Sequence, residues 1–271
     1  MNLALINILF LLAVITIVLS ALAWMPFPKG KWHKLFTLMS VSTLACGVFL
    51  VVAAVLPRGD FYGKVETQLP PVGEKVVALT YDDGPYPPYT EELLEVLAQE
   101  KVQATFFMVA SNAENHPATV QKVVQNGHSI GLHTLDHIDL LKLNKEQKVK
   151  QIEKGKAVLE NLTGMHISLF RPPHGFRDWQ VFEVLQENDL QLVNWSVLSK
   201  DWLNPTPEVI AERTLKQVHP GAIILLHDGD SPYNKSSRAN TVQATKIIIR
   251  ELKAQGYIFV RLTEKSFLED I

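Results

Sequence analysis

The fold and the site of this chain are best predicted from one stretch, Val76-Val77-Ala78-Leu79-Thr80-Tyr81-Asp82-Asp83-Gly84-Pro85. An apolar run with the character of a strand ends in two adjacent carboxylates, Asp82 and Asp83. Neighbouring carboxylates repel each other unless a cation or a shared proton neutralises them, so the pair indicates a metal site or an acid/base pair. Asp-Asp-Gly-Pro is also good turn chemistry, and this fragment taken alone leaves a simple turn open.

A second cluster, His133-Thr134-Leu135-Asp136-His137, follows another short apolar run. Two imidazoles four residues apart share one face if the stretch is helical. Together with one aspartate they supply three ligands and leave metal positions open for water and substrate. A lone histidine is usually a surface or core residue, but a spaced pair combined with Asp82-Asp83 favours a metal site.

Composition narrows the class of protein. The chain has 271 residues, a net charge of −2 and a pI near 6.5. No basic stripe with interleaved aromatic residues follows the membrane-type segments, which argues against a nucleic-acid partner. The single cysteine, Cys46, lies inside an apolar stretch and cannot form an intramolecular disulfide, so we interpret it as a packing residue rather than a lipid-modified one. No protein partner can be identified from the sequence.

The first 57 residues have the pattern of a transmembrane hairpin. Two uncharged stretches, about 3–24 and 35–56, each exceed the ~20 residues that cross a bilayer. The lysines between them, Lys29, Lys31 and Lys34, should stay in the cytoplasm, which places everything after Pro57 outside. We therefore predict a bacterial cell membrane protein with two spans and an extracytoplasmic domain. The alternative is a signal peptide cleaved near Ala21-Leu22-Ala23 and followed by a single anchor.

The remainder divides into a linker and one large domain. Residues 58–74, with Pro70, Pro71 and Gly73, are predicted to be a linker, and residues 75–271 a catalytic domain. Apolar runs alternate there with amphipathic stretches, which predicts the α/β class and a (β/α) barrel of seven parallel strands. The predicted strands are 76–80, 104–109, 129–133, 167–170, 191–196, 222–226 and 258–262.

Polar clusters follow five of these predicted strands. They are Asp82-Asp83, His133, Arg171-Pro172-Pro173-His174-Gly175, Asp201-Trp202 and His227-Asp228. The carboxyl ends of barrel strands meet on one face, which is where barrel enzymes carry their active sites. A binding platform does not need so many titratable groups in one place, so the pattern favours a hydrolytic metal site.

These motifs resemble those of the polysaccharide deacetylases of carbohydrate esterase family 4, which share the NodB homology domain. The resemblance covers roughly residues 76–262, and five motifs occur in order: Thr80-Tyr81-Asp82-Asp83-Gly84-Pro85, His133-Thr134-Leu135-Asp136-His137, Arg171-Pro172-Pro173-His174-Gly175, Asp201-Trp202 and Leu226-His227-Asp228. It implies a distorted (β/α) barrel and a metal-dependent hydrolase that removes acetyl groups from glycans, acting on C–N bonds other than peptide bonds.

The resemblance also implies residue roles. Asp82 would be the general base, and Asp83, His133 and His137 would bind the metal. Arg171 would orient Asp82. This ligand set suits zinc best, although cobalt, nickel or manganese would also fit. A divalent ion with open positions polarises the acetyl carbonyl and lowers the pKa of a bound water toward ~7, so that a carboxylate can take its proton.

The remaining motif residues would serve the leaving group and the substrate. His227 would be the general acid, and Asp201 would hold its other nitrogen. His174 stands where the family more often has Tyr or Phe, and its backbone N–H can still serve an oxyanion hole. Trp202 and Leu226 would wall a small apolar pocket for the acetyl methyl. Of the other large aromatics, Trp179, Trp195, Tyr86 and Tyr233 could stack on sugars, but core packing is the expected role.

The leading hypothesis is N-deacetylation of a cell-envelope glycan, with peptidoglycan amino sugars or a chitin-like oligosaccharide as substrate and the bilayer as the second partner. A hydrolase of another amide, either non-polymeric or lipid-linked, remains open. So does a non-catalytic glycan-binding module on the same barrel. The complete set of catalytic positions argues against the last, because a pseudoenzyme is expected to have lost at least one.

Overall fold

A computed structural model describes residues 4–25, 30–71, 74–230 and 236–267. Two long helices come first, α1 (Leu5–Trp24) and α2 (Lys31–Val55). They pack antiparallel, and hydroxyl pairs join them: Thr16 lies 2.8 Å from Thr43, and Ser20 lies 2.7 Å from Ser40. Both helices are long and apolar enough to cross a membrane and are largely exposed, properties that a signal sequence near an N-terminus also has. The predicted loop residue Lys29 lies outside the described residues.

Eight short strands, all paired in parallel, form the sheet of the second part of the chain. They are β1 (Val76–Asp82), β2 (Thr105–Met108), β3 (Ser129–Leu132), β4 (Leu169–Phe170), β5 (Gln191–Leu192), β6 (Val197–Leu198), β7 (Ala222–His227) and β8 (Ile258–Phe259). The order is β5-β4-β3-β2-β1-β7-β6, with β8 beside the start of β1. The predicted α/β parallel barrel is confirmed, each of the seven predicted segments overlaps one strand, and β6 lies outside all of them.

The barrel is open between β5 and β6, and this changes two predictions. The predicted strand 191–196 ends at Leu192, because the chain then crosses from one edge of the sheet to the other and forms β6. The predicted linker 58–74 also contributes to the domain. Glu66 bridges Val193 beyond one edge, Gln68 bridges Ala222 on β7, and Val65 and Leu69 are buried, so part of this segment packs over the seam.

Helices cover the outside of the sheet. Their bounds are α3 (Tyr89–Gln99), α4 (Ala110–Asn115), α5 (Pro117–Gln125), α6 (Lys145–Val149), α7 (Gly155–Thr163), α8 (Trp179–Glu187), α9 (Pro207–Leu215) and α10 (Ala239–Ala254). A π-helical turn, Lys150–Lys154, joins α6 to α7. Helices α5 and α9 each begin with a proline, Pro117 and Pro207, and proline at the first helical position loses no hydrogen bond.

Side chains along β1 and β7 point alternately to the core beneath the helices and to the interior of the barrel. On β1, Leu79 and Tyr81 pack in the cluster beneath the helices, whereas Ala78 packs with the interior cluster. On β7, Leu226 belongs to the helix side and Leu225 to the interior. Because side chains of a strand point alternately to its two faces, Asp82 and His227 continue the interior rows to the carboxyl ends of the strands. The sheet thus aims both side chains into the mouth of the barrel.

Candidate active site

A cavity of about 610 Å³ opens at the carboxyl ends of the strands. Its lining includes seven predicted site residues: Asp82, Asp83, His133, His137, His174, Trp202 and His227. They lie at or after the ends of β1, β3, β4, β6 and β7, which are separated by up to about half of the chain. The topology of a parallel barrel brings these distant segments to one rim, as the sequence predicts.

Asp83, His133 and His137 form a three-ligand cluster in this cavity. One ligand atom from each lies within 4.8 Å of the others. The Nε2 atoms of His133 and His137 lie 3.3 Å and 3.1 Å from Oδ1 of Asp83. That Oδ1 is buried and accepts no well-formed hydrogen bond from any described residue. A buried carboxylate oxygen between two imidazole nitrogens is a suitable donor set for a divalent cation such as zinc.

The surroundings favour the ligating forms of this cluster. Burial raises the pKa of Asp83, but the facing imidazoles of His133 and His137 outweigh it and hold that pKa well below the usual range. The carboxyl is therefore ionised. Nδ1 of His133 lies 2.7 Å from the carbonyl oxygen of Arg171, so with a proton on Nδ1 this ring presents Nε2 to the cavity. A backbone partner of this kind fixes the tautomer of a metal-binding histidine.

The two histidines meet through a turn rather than a helix, which corrects the conditional expectation that they share a helical face. β3 ends at Leu132, and residues 133–138 are not helical. Thr134 and His137 have positive φ angles of 66° and 56°. The backbone N–H of His137 donates to Oγ1 of Thr134 at 3.0 Å, which closes the turn and brings His137 back toward His133.

Asp82 is held by a completely buried arginine. Nη1 of Arg171 donates to Oδ1 of Asp82 at 2.7 Å and to Oγ1 of Thr80 at 2.8 Å. The rest of the guanidinium donates to the carbonyls of Val193 and Asn194, both at 2.9 Å. This fixed fork orients the Asp82 carboxylate and leaves Oδ2 toward His133, 3.9 Å away.

His227 is paired with Asp201. Nδ1 of His227 lies 2.8 Å from Oδ1 of Asp201, and the backbone N–H of His227 donates to Oδ2 at 2.8 Å. Burial lowers the pKa of His227, but Asp201, with smaller contributions from Asp83 and Asp82, outweighs it and raises that pKa to about 9. Since Asp201 holds Nδ1, the Nε2 side of the ring is left for the cavity.

The apolar wall of the cavity differs from the prediction at one position. Trp202 lines the cavity, and its ring lies 5.4 Å from that of His227. Leu226 does not; it is completely buried on the helix side of β7, and its neighbour Leu225 lines the cavity instead. The period of two along the strand is the reason. Trp195 also lines the cavity, whereas Trp179 packs against Tyr62.

His174 lies on a tight turn at the cavity edge. Its φ of 62° is in the left-handed region, and its ring lies 5.5 Å from that of His137. Burial and the neighbouring His137 lower the pKa of His174. An uncharged imidazole therefore borders the three-ligand cluster without belonging to it.

Asp201 accepts hydrogen bonds from two residues that the sequence analysis did not identify. The hydroxyls of Ser199 and Thr241 donate to Oδ1 and Oδ2 of Asp201, both at 2.9 Å. Burial raises the pKa of Asp201, but His227 lowers it by more, so the carboxyl is ionised. Ser199 lies two residues from Asp201 and could have been noticed, but Thr241 lies 40 residues away on α10, and nothing near it in the sequence signals this contact.

The loops after β1 and β7 pack backbone to backbone. A Cβ atom on Gly229 would lie 2.3 Å from the carbonyl carbon of Asp83, so only glycine fits there. Asp228, which follows His227 in its motif, is buried and accepts a hydrogen bond from Thr90 at 2.6 Å. Burial raises the pKa of Asp228 to about 7. The close packing fixes Asp83 relative to His227.

Comparison with known proteins agrees with this geometry. Residues 70–193 match the family model described as polysaccharide deacetylase. A peptidoglycan-N-acetylglucosamine deacetylase of Bacillus cereus is 39% identical over 72% of this chain and 89% of its own length. A chitooligosaccharide deacetylase of Sinorhizobium fredii is 34% identical over 71% of this chain and 92% of its own.

Solved structures give the same result. The Bc1960 peptidoglycan N-acetylglucosamine deacetylase superposes with a TM-score of 0.69 at 33% identity, over 75% of this chain and 92% of that one. BA3943 of Bacillus anthracis, a family 4 pseudoenzyme, gives 0.68 at 27% identity, over 75% and 69%. With the fold, the site and these relatives in agreement, this chain belongs to the polysaccharide deacetylases of carbohydrate esterase family 4.

Proposed function

We propose that this protein is a membrane-anchored, divalent-metal-dependent N-deacetylase that acts on an N-acetylated cell-envelope glycan. One observation carries the proposal: a carboxylate held by Arg171, a three-ligand cluster and an imidazole held by Asp201 share one cavity. Since one structural relative is a pseudoenzyme, the fold alone does not carry the activity. In this chain, the activity is supported by the presence of the expected residue type at each catalytic motif position.

The reaction would be hydrolysis of the amide, giving acetate and a free amine. When bound at Asp83, His133 and His137, a divalent cation would supply Lewis acidity toward the acetyl carbonyl and the attacking water. Asp82, oriented by Arg171, would accept the proton of that water. Zinc suits one carboxylate and two imidazoles, and cobalt, nickel and manganese are the other candidates.

The other side of the cavity would serve the leaving amine. His227 is protonated at neutral pH, because its pKa is raised to about 9, and its Nε2 would donate a proton to the departing nitrogen. The backbone N–H of His174 would meet the charge that develops on the carbonyl oxygen. Trp202 and Leu225 would enclose the acetyl methyl.

The substrate proposal draws on the relatives and on the two N-terminal helices. Relatives are named for peptidoglycan N-acetylglucosamine and for chitooligosaccharides, so an N-acetylglucosamine-containing glycan is the proposed substrate. Helices α1 and α2 are the proposed anchor, with the catalytic domain outside the cytoplasm. A tethered enzyme reaches glycans at or near the membrane.

The test is turnover of defined substrates by the full-length protein. Mass spectrometry of acetylated chitooligosaccharides and peptidoglycan fragments should show the loss of acetyl groups. Asp82→Asn keeps the shape of the side chain but cannot accept a proton, so kcat should fall by ~10² or more. Asp189→Asn, the same change at an exposed position outside the cavity, should leave kcat unchanged. Normal turnover by Asp82→Asn would remove Asp82 from the mechanism.

A further inference from the structure

A second cavity of about 280 Å³ lies against the catalytic cavity. Its lining is Leu56, Pro57, Arg58, Trp195, Ser196 and Leu198. Trp195 and Leu198 also line the catalytic cavity. The two spaces are therefore neighbours on either side of Trp195 and Leu198, and one ligand long enough to pass these two side chains would contact both. We call this second cavity the juxtamembrane groove.

The outer wall of the juxtamembrane groove is formed by the residues that directly follow α2. That helix ends at Val55, and Leu56, Pro57 and Arg58 come next. If α2 spans the bilayer, these residues lie at its surface, and so does the groove. The catalytic cavity then opens beside the membrane.

Buried polar contacts hold this wall on the catalytic domain. The guanidinium of Arg177, which is completely buried, donates to the carbonyls of Leu56 and Gly59, the latter at 2.9 Å. Nδ2 of Asn194 donates to the carbonyl of Pro57 at 2.8 Å. The end of α2 and the rim of the site are thus joined as one unit, and the groove is a built feature rather than a gap beside a loose tether.

The chemistry of the groove is apolar with one cation. Leu56, Pro57, Trp195 and Leu198 offer hydrocarbon surface, while Arg58 brings a guanidinium. Arg58 donates one hydrogen bond to the carbonyl of Ser196 at 3.1 Å and forms no salt bridge with a carboxylate of the described residues. A guanidinium next to an apolar surface suits a phosphate that is attached to a hydrocarbon chain.

From this arrangement we infer that the juxtamembrane groove binds the phosphate and the first part of the hydrocarbon chain of a lipid-linked N-acetylated glycan. The sugar attached to that phosphate would lie in the catalytic cavity, so the glycan would be deacetylated while still on its lipid carrier. The inference rests on the proposed deacetylase function and names the substrate class of the same site. A glycan polymer without a lipid would leave the apolar lining uncovered and would bring no phosphate to Arg58.

The experiment compares two substrates with the full-length protein in phosphatidylcholine vesicles. One is an N-acetylglucosamine disaccharide linked to polyprenyl diphosphate, and the other is the lipid-free disaccharide. The wild type should deacetylate the lipid-linked sugar with a kcat/KM at least ~10-fold higher, as expected for a charge-assisted contact with phosphate. Arg58→Gln should remove most of this preference without changing turnover of the lipid-free sugar, and Arg58→Lys should restore part of it.

Arg250→Gln is the matched control, because Arg250 is an exposed arginine on α10 that pairs with Glu100 outside both cavities. It should keep the preference. Equal kcat/KM values for the two substrates, or an unchanged preference in Arg58→Gln, would overturn the inference. So would competition by excess anionic phospholipid that abolishes the preference, since the groove would then bind bulk lipid. If neither sugar is deacetylated, the proposed deacetylase function itself is refuted. This outcome is distinguishable from failure of the lipid-linked inference alone.

Discussion

At the scale of single residues, the pair His227 and Asp201 sets the pH range of the site. The pKa of His227 is raised to about 9 from 6.5, and the ionised Asp201 is the main cause that raises it. A raised pKa means that the charged pair stabilises the fold fully below about pH 6.5, and that this contribution is lost as the pH rises through about 9. A general acid at this position would remain protonated over the same range.

The value of kcat/KM should therefore fall on the alkaline side of its pH profile only near pH 9. Asp201→Asn removes the main charge that raises the pKa of His227, so burial weighs more and the limb should move to lower pH. Thr241→Val removes one hydrogen bond to Asp201 but keeps the carboxylate, and its limb should stay close to that of the wild type. Superimposable profiles for Asp201→Asn and the wild type would show that Asp201 does not tune His227.

The three-ligand cluster makes a second prediction at this scale. Alanine at Asp83, His133 or His137 should remove most of the bound metal, because each would supply one of the three ligands that the described residues bring together here. His174→Ala should retain the metal, since that imidazole borders the cluster without belonging to it. Elemental analysis of the purified variants measures both. Full metal occupancy in all three cluster variants would contradict the assignment.

At the scale of elements, the longer strands could be predicted from the sequence and the short ones could not be bounded correctly. The long strands β1 and β7 are buried apolar runs and were predictable, with their polar ends marking the site. The strand predicted over 191–196 was too long, because periodicity carries no information about which neighbour a residue pairs with. Leu192 pairs with β4, whereas Val197 pairs with β7 across the open seam. Thr241 was missed for the same reason: its partner lies on another element.

A buried ion pair between two helices gives an element-scale prediction. Nζ of Lys148 on α6 lies 2.5 Å from Asp178, whose other oxygen caps α8 by accepting from Val181 at 3.0 Å. Both charged side chains are completely buried. Lys148→Met would leave the Asp178 charge uncompensated and should lower the free energy of unfolding by ~3–5 kcal/mol.

The measurement is denaturant unfolding of the full-length protein in detergent, followed by tryptophan fluorescence. The double variant Lys148→Met with Asp178→Asn removes both charges and should recover part of the loss, because no unpaired charge is then buried. If the single and the double variant lose the same free energy, the ion pair is not the source of the effect.

At the scale of the whole molecule, the proposed anchor is joined to the domain that carries the candidate active site, and this connection bears on which substrates can reach the site. The charge pattern of the hairpin predicts on which side of the membrane the domain lies. The contacts of Arg177 and Asn194 hold the domain close to the end of α2. The sequence alone predicts a hairpin up to residue 57 and a linker over 58–74, because proline and glycine are common in linkers. It could not show that residues 54–59 are fastened to the domain, since that depends on partners more than 100 residues away.

The last prediction concerns orientation, and it follows from charge placement alone. Lys29, Lys31 and Lys34 are the basic cluster between the two apolar stretches, and no charged residue precedes them. By the positive-inside rule, the loop should stay in the cytoplasm, with the N-terminus and the domain after Pro57 outside. Protease added to intact spheroplasts should digest that domain and spare a reporter inserted at Gly30. Replacing all three lysines by glutamine should weaken this preference, whereas the same change at the exposed Lys216, Lys253 and Lys101 should not. Protection of the wild-type domain would overturn the orientation, and with it a substrate on the outer face of the membrane.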